Sequence, residues 1–315
     1  MMRIMPSSAT MDDILLIVNP RAGRGRGRTT GALVERLLAG RGAPFRAVST
    51  RGPGMVGGIL AEEGPRSVIC VGGDGTIHEA VNALAGGARS LGIVPAGSGN
   101  DFARSLGIPF DPASAVEDIL GGATQTIDLG RVRVGNLDGM ASEPRYFANS
   151  LGIGFDAEVA SAIRRIPALR GLALYAAAVI LTAVHYRARE FRVCLDGVWS
   201  TGKLLLVAVG NGQGAGGGFR LTPRAELADG LLDVCMVREI SPAGILFLAP
   251  RVIRGRHGES PKTVLSRFAR MELETDTPVG VHADGEILTL GATAVEAEVV
   301  PGILKVLGGT GRRTP

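Results

Sequence analysis

Val71-Gly72-Gly73-Asp74-Gly75-Thr76 closes the apolar run 68–71 and opens the helical stretch 77–84 of this 315-residue chain. A strand that ends in paired glycines and runs into a helix gathers backbone N–H groups and a helix N-terminus at one spot, which attracts phosphate. Asp74 is awkward there, because a carboxylate repels phosphate. A magnesium ion between the two, or a substrate hydroxyl whose proton the carboxylate receives, would resolve the conflict. The plainer alternative is that Asp74 caps its helix.

The same pattern extends to both sides. Upstream lie an apolar run at 14–18, the turn Asn19-Pro20-Arg21-Ala22-Gly23, a helical stretch at 30–38, a strand at 45–48 and a helix at 55–62. Downstream, the strand 91–94 runs into Gly97-Ser98-Gly99-Asn100-Asp101, with Asp101 in the place that Asp74 holds one strand earlier. Strand–loop–helix units at this spacing predict a parallel sheet with helices on its faces. Ligands of such sheets bind at the carboxyl ends of the strands, where these glycines fall.

Beyond residue 122 the character changes. Alternating, valine-rich segments at 126–134, 146–151, 191–195, 203–209, 232–237, 271–275 and 294–300, with Asp-Gly pairs at 138, 196, 229 and 284, predict antiparallel hairpins. A helical stretch at 163–184 interrupts them. The expected fold is therefore an α/β N-terminal domain with a parallel sheet, followed by a mostly antiparallel β-sandwich C-terminal domain. About two domains also suit the length.

Composition narrows the function. Glycine supplies 47 of 315 residues without a Gly-X-Y period, so its clusters mark sharp turns or close backbone approaches rather than collagen. Three widely spaced cysteines, Cys70, Cys194 and Cys235, form neither a disulfide framework nor a metal motif and fit a reducing compartment. Only Lys203, Lys262 and Lys305 of the 34 basic residues are lysines; codon bias is the plain explanation, and arginine contacts to phosphates or anionic lipid heads are the sharper one. The 13 residues of 172–184 fall short of the roughly 20 that span a bilayer, and 14–18 is too short for a signal-peptide core. A cytoplasmic protein is expected. Residues 172–184, flanked by Arg164, Arg165, Arg170, Arg187 and Arg189, could form a core helix or lie at the inner face of a membrane. Aromatic residues at 4% and the lack of a recognised module argue against nucleic-acid binding. P-loop and protein-kinase motifs are absent. Gly152-Ile153-Gly154 imitates a dinucleotide fingerprint, but no acidic residue follows about twenty positions later, so its glycines read as a strand-to-helix turn.

Taken together, the turns at 19–23, 71–76 and 97–104 (ending Phe102-Ala103-Arg104), the stretch Asp229-Gly230-Leu231-Leu232-Asp233 and Asp284-Gly285-Glu286 resemble the soluble diacylglycerol kinase, sphingosine kinase and bacterial lipid kinase family. The resemblance runs from Ile14 to about Leu307. It implies an NAD-kinase-like nucleotide domain at 11–125, completed by about 302–315, and a lipid-substrate β-sandwich at 126–301, with the active site in a cleft between them. It also implies ATP contacts at Asn19, Pro20, Arg21, Ala22, Gly23, Thr50, Gly72, Gly73, Asp74, Gly75, Thr76, Ile77, His78, Ser98, Asn100 and Asp101. Ser98 replaces the family's usual threonine and keeps the hydroxyl. The proton acceptor would be Glu286 or Asp284, or else Asp74. Mg²⁺ would be held by Asp74 and Asp101, and a second, structural Mg²⁺ by Asp229 with the carbonyls of Glu226 and Leu231. A lipid acceptor is implied, with transient membrane contact, and a homodimer is compatible. The alternatives are a kinase of a soluble acceptor such as NAD and a non-catalytic nucleotide- or lipid-binding regulator.

Overall fold

The structure, a computed structural model, describes residues 14–62, 67–140, 142–163, 166 and 171–309. Residues 1–13, with the expected domain boundary at 11, and Arg164, Arg165, Arg170 and residues 310–315 lie outside them. The chain forms two compact units. The first takes in the chain up to Gly97, Gly107–Gln125 and the chain from Lys305; the second takes in Ser98–Leu106 and Thr126–Leu304. Segment 98–106, with Ser98, Asn100 and Asp101, thus packs with the second unit, whereas the sequence groups it with the first.

In the first unit, β1 (Ile14–Val18), β2 (Phe45–Ser49), β3 (Ser67–Gly72) and β4 (Ser90–Pro95) pair in the order β2-β1-β3-β4, all parallel. Every residue of β1 is buried, as expected of a parallel strand covered on both faces. The connecting helices are α1 (Arg26–Gly40), α2 (Met55–Ala61) and α3 (Asp74–Leu84). Ile77, Ala80, Val81 and Leu84 form the buried i, i+3, i+4, i+7 stripe of α3. After α4 (Asp101–Ser105), which belongs to the second unit, α5 (Pro112–Leu120) starts with Pro112 in its first turn. The Asp111 carboxylate caps it, accepting from Ser114 N–H at 2.9 Å. Strand order reverses between β1 and β3, so the carboxyl ends of these two strands flank a topological switch point.

The second unit begins with β5 (Thr124–Asn136), β6 (Gly139–Met140), β7 (Arg145–Phe147) and β8 (Ser150–Gly154), then α6 (Phe155–Ile163) and α7 (Gly171–His185). There follow β9 (Arg189–Leu195), β10 (Val198–Gly210), β11 (Leu232–Arg238), α8 (Pro242–Ile253), β12 (Thr263–Phe268), β13 (Arg270–Ala283) and β14 (Glu286–Leu307). The strands pair in the order β12-β11-β10-β8-β13-β14. In addition, β9 joins β10 and β13, and β5 joins β14, β6 and β7. All the registered pairs of this unit are antiparallel. The last residues of β14, Lys305–Leu307, pair parallel with β4 and complete the first unit's sheet.

Burial explains why β10 and β11 read as unbroken apolar runs. Val207, Val209, Val234 and Met236 face one core with Phe147, Phe191 and Phe268. Their neighbours Leu206, Ala208, Cys235 and Val237 face a second core built with α6, α7 and α8. The predicted helix at 163–184 is two helices instead, α6 and α7. Ile163 ends α6, Ile166 is not helical, and α7 carries the described part of the predicted stretch from Gly171 on.

Candidate active site

The carboxyl ends of β1, β3 and β4 are locked together by backbone. Asn19 N–H donates to Val71 O at 2.9 Å, Thr50 N–H to Val18 O at 2.9 Å, and Ala96 N–H to Gly72 O at 2.8 Å. The Asn19 side chain joins the first two turns, donating from Nδ2 to Thr76 Oγ1 at 2.9 Å and accepting from Arg21 N–H at 3.0 Å. Two glycines are obligatory. Gly23 has φ +56° and a Cβ there would lie 2.2 Å from Ala96 O; a Cβ on Gly73 would lie 2.9 Å from the Gly97 Cα. Arg26, at the start of α1, donates to Gly97 O and draws the third turn in. Pro20 and Arg21 line the loop surface, while Ala22, Thr50, Ile77 and His78 are buried.

Asp74 is the first residue of α3 rather than its N-cap. Gly73 is the N-cap residue and contributes no side chain, and the helical ladder starts at Ile77 N–H to Gly73 O, 3.1 Å. The N–H groups of Asp74, Gly75 and Thr76 therefore lie at the positive end of α3, and Asp74 is partly buried there.

The other predicted carboxylates belong to the second unit. Asn100, with φ +54°, precedes the short α4. Both oxygens of Asp101 accept from Gly217 N–H, at 2.9 and 3.0 Å, so Asp101 holds the glycine loop 214–218. Asp284, with φ +49°, and Gly285, with φ +86°, form the two-residue turn joining β13 to β14. The Asp284 carboxylate accepts from the N–H groups of Ala148, Asn149 and Ser150, each at 2.9 Å. Glu286 follows at the exposed start of β14. Asn149 ties these parts together, accepting from Ser105 Oγ at 2.7 Å and donating to Gly214 O.

The 226–233 stretch is held differently. Asp229 is ion-paired with Arg267 and accepts from Leu231 N–H at 3.1 Å. Buried Asp128 accepts from Gly230 N–H at 2.7 Å and from Gly302 N–H at 2.8 Å. Among the described residues no three acidic, histidine or cysteine side chains cluster as metal ligands. A magnesium ion at Asp229, with the Glu226 and Leu231 carbonyls, would have to displace the Arg267 guanidinium, so this donor set fits the arginine better.

Nearby, burial pushes the Asp233 carboxyl up to about 6, opposed by Arg224 and reinforced by Glu226. The unfolded chain releases this proton first, so stability contributed here is present below about pH 4 and lost as pH rises to about 6. The wild type is expected to lose melting temperature relative to Asp233→Asn across that window; parallel profiles of the two proteins would refute the assignment.

Five buried residues of the second unit escaped the sequence analysis: Asp128, Asn149, Asp156, Tyr175 and His282. Asp128 and His282 lie on β5 and β13, Asp156 and Tyr175 on α6 and α7, and their partners are distant in sequence.

Helices α7 and α8 pack together and expose Ile180, Leu181, Val184, Leu246 and Phe247, the last 80% exposed. Neither helix contains an acidic residue, and Arg187, Arg251 and Arg254 are exposed beside them. Beside the C-terminal end of α7 a cavity of about 590 Å³ is lined by Arg187, Lys262, Tyr186 and Ile245. Arg189, expected to flank the apolar segment as a charge, lies instead over the Tyr186 ring with its Nε buried. Among the described residues no helix is long and apolar enough to cross a membrane.

Comparison with known proteins adds to this geometry. Residues 13–132 match the diacylglycerol kinase catalytic domain, and residues 149–308 match the YegS C-terminal NAD kinase beta sandwich-like domain. A protein of Mycobacterium tuberculosis named diacylglycerol kinase is 34% identical over 249 residues, 78% of this chain and 77% of that protein. A Pseudomonas aeruginosa protein named "Probable lipid kinase YegS-like" is 31% identical over 94% of both chains. A crystal structure of a provisionally named diacylglycerol kinase from Bacillus anthracis superposes with a TM-score of 0.79 at 25% identity, covering 97% of this chain and 98% of that one.

Proposed function

The chain belongs to the diacylglycerol kinase and YegS-like lipid kinase family, and from that premise we propose that it transfers the γ-phosphate of ATP to the hydroxyl of a lipid such as diacylglycerol. The observation that carries this reading is the start of α3, where a glycine N-cap adds no side chain and the Asn19–Thr76 pair ties the first two turns together at the positive helix end, a setting that suits phosphate. The acceptor oxygen forms a bond to the γ-phosphorus, the bond from that phosphorus to the β–γ bridging oxygen breaks, and ADP leaves with the bond electrons. Glu286, exposed and two residues from an anchored aspartate, takes the hydroxyl proton as the oxygen commits to attack. Asp284 is the anchor, since three backbone donors already converge on it.

Asp101, whose oxygens hold Gly217 N–H, is a structural acceptor within the second unit. Mg²⁺ would be held by the Asp74 carboxylate at the start of α3, since the ion takes only one or two carboxylates beside phosphate oxygens and water. When bound, it would supply charge neutralisation at the phosphates. This chain's own part is to orient the phosphates through its backbone donors and to keep a carboxylate at the acceptor oxygen.

Exposed apolar side chains without acidic neighbours support docking on an anionic membrane surface through α7 and α8. Flotation is expected to recover more protein with anionic than with neutral liposomes. Phe247→Ser is expected to lower recovery on the anionic ones about tenfold, the loss of roughly one buried aromatic side chain. Equal recovery with both liposome types would argue against this docking.

The function itself is tested by incubating the protein with labelled ATP and a lipid-extract panel in mixed micelles, then identifying phosphorylated species by mass spectrometry. A phosphorylated lipid supports the reading. Phosphate transferred only to NAD or another soluble acceptor, or to nothing, would sink it.

A further inference from the structure

Asp156, Tyr175 and His282 form a buried polar set to which the chemistry above assigns no task. They are 3%, 8% and 4% exposed. His282 Nε2 lies 3.0 Å from Asp156 Oδ2, and the Tyr175 hydroxyl donates to Asp156 Oδ1. Gly285 N–H donates to His282 Nδ1 at 3.2 Å, which leaves the ring proton on Nε2, facing the carboxylate. Burial pushes the Asp156 carboxyl up, but its pairing with His282 and the Tyr175 hydrogen bond pull it further down, so it stays ionised. Burial, and then the Asp156 charge, push the Tyr175 hydroxyl well above its usual range and keep it a donor.

The set is built into the strands. His282 pairs with Gly152 across β13 and β8, and a Cβ on Gly152 would lie 2.2 Å from His282 Nε2 and 2.4 Å from Asp156 Oδ2. Gly152 is the first glycine of the false dinucleotide fingerprint, and room for this hydrogen-bonded pair is its physical reason. At the other end, Gly216, with φ +61°, passes so close to the Tyr175 ring that a Cβ would lie 2.3 Å from it. The next residue, Gly217, donates to Asp101.

We propose that Asp156, His282 and Tyr175 act as positioning residues that hold the Asp284-Gly285-Glu286 turn in register with Asp101 through the glycine loop. The kinetic consequence rests on the reading of Glu286 as proton acceptor; the structural one does not. The test uses the full chain carrying Asp156→Asn, His282→Ala, His282→Gln or Tyr175→Phe, the last removing a single hydroxyl in case the others fail to fold. Amide exchange at Gly285 and Glu286 is expected to quicken about tenfold or more in His282→Ala as the turn loosens. Glutamine, which can still donate to Asp156, should recover part of that protection. In the lipid assay kcat is expected to fall about tenfold with KM for ATP within about twofold, the signature of a misplaced group rather than lost nucleotide binding. Folded variants with wild-type exchange at Gly285 overturn the proposal, as do variants with quickened exchange and unchanged kcat. If wild-type protein phosphorylates no lipid, the function proposed above fails, and the exchange rates alone decide this inference.

Discussion

Asp74→Asn is expected to lower turnover about 100-fold or more, and Glu286→Gln to do the same, while both proteins stay folded. Phosphoryl transfer has no covalent task for the protein, so loss of a charged group aimed at the phosphates or at the attacking oxygen falls directly on the barrier; 100-fold is about 2.7 kcal/mol. Neither residue carries much of the fold. Asp74 stands in the first turn of α3, where its negative charge meets the positive helix end and contributes about 0.3–1 kcal/mol. Glu286 is exposed at the first residue of β14 and pairs with Ala283 through backbone. Steady-state rates measured beside melting curves separate the two effects. Near-normal turnover in both folded variants would remove these carboxylates from the chemistry.

What was legible in the sequence is what has a local cause. Glycine-bearing turns after apolar runs identified the carboxyl ends of β1, β3 and β4, because only glycine permits the approach of Gly73 to Gly97 and of Gly23 to Ala96. The Asp-Gly pairs at 196 and 284 marked real hairpin turns, with φ +47° and +49° at the aspartates. Contacts across long stretches of chain were not legible. Asp101 could be read as a counterpart of Asp74, yet its oxygens are turned to Gly217, 116 residues away. His282 stood two residues before a recognised turn, but Asp156 lies 126 residues from it and only the pairing of β8 with β13 joins them. Helix α8 was missed for another reason. Its apolar residues occupy both the buried and the exposed face, so Ile245 and Leu248 do not stand out from Leu246 and Phe247.

Asp284→Ala is expected to be the most damaging single change to the second unit. The substitution strips an ionised acceptor from three N–H groups at 148–150, and hydrogen bonds to charged groups contribute about 1.5–3 kcal/mol each. Allowing for non-additivity, a loss of about 3 kcal/mol lowers the melting temperature of a unit this size by roughly 6–12 °C. Alanine also tolerates a φ of +49° poorly, which adds to the loss. Asparagine accepts the left-handed backbone and keeps one carbonyl oxygen, so Asp284→Asn should fall between alanine and wild type. The pair of variants also separates the two carboxylates of the turn. If Asp284 anchors and Glu286 accepts the proton, Asp284→Asn retains much of its turnover per folded molecule, whereas Glu286→Gln loses turnover without losing stability. An Asp284→Ala protein that melts with the wild type would show that the three amides find water or other acceptors, and the anchoring role would go with it.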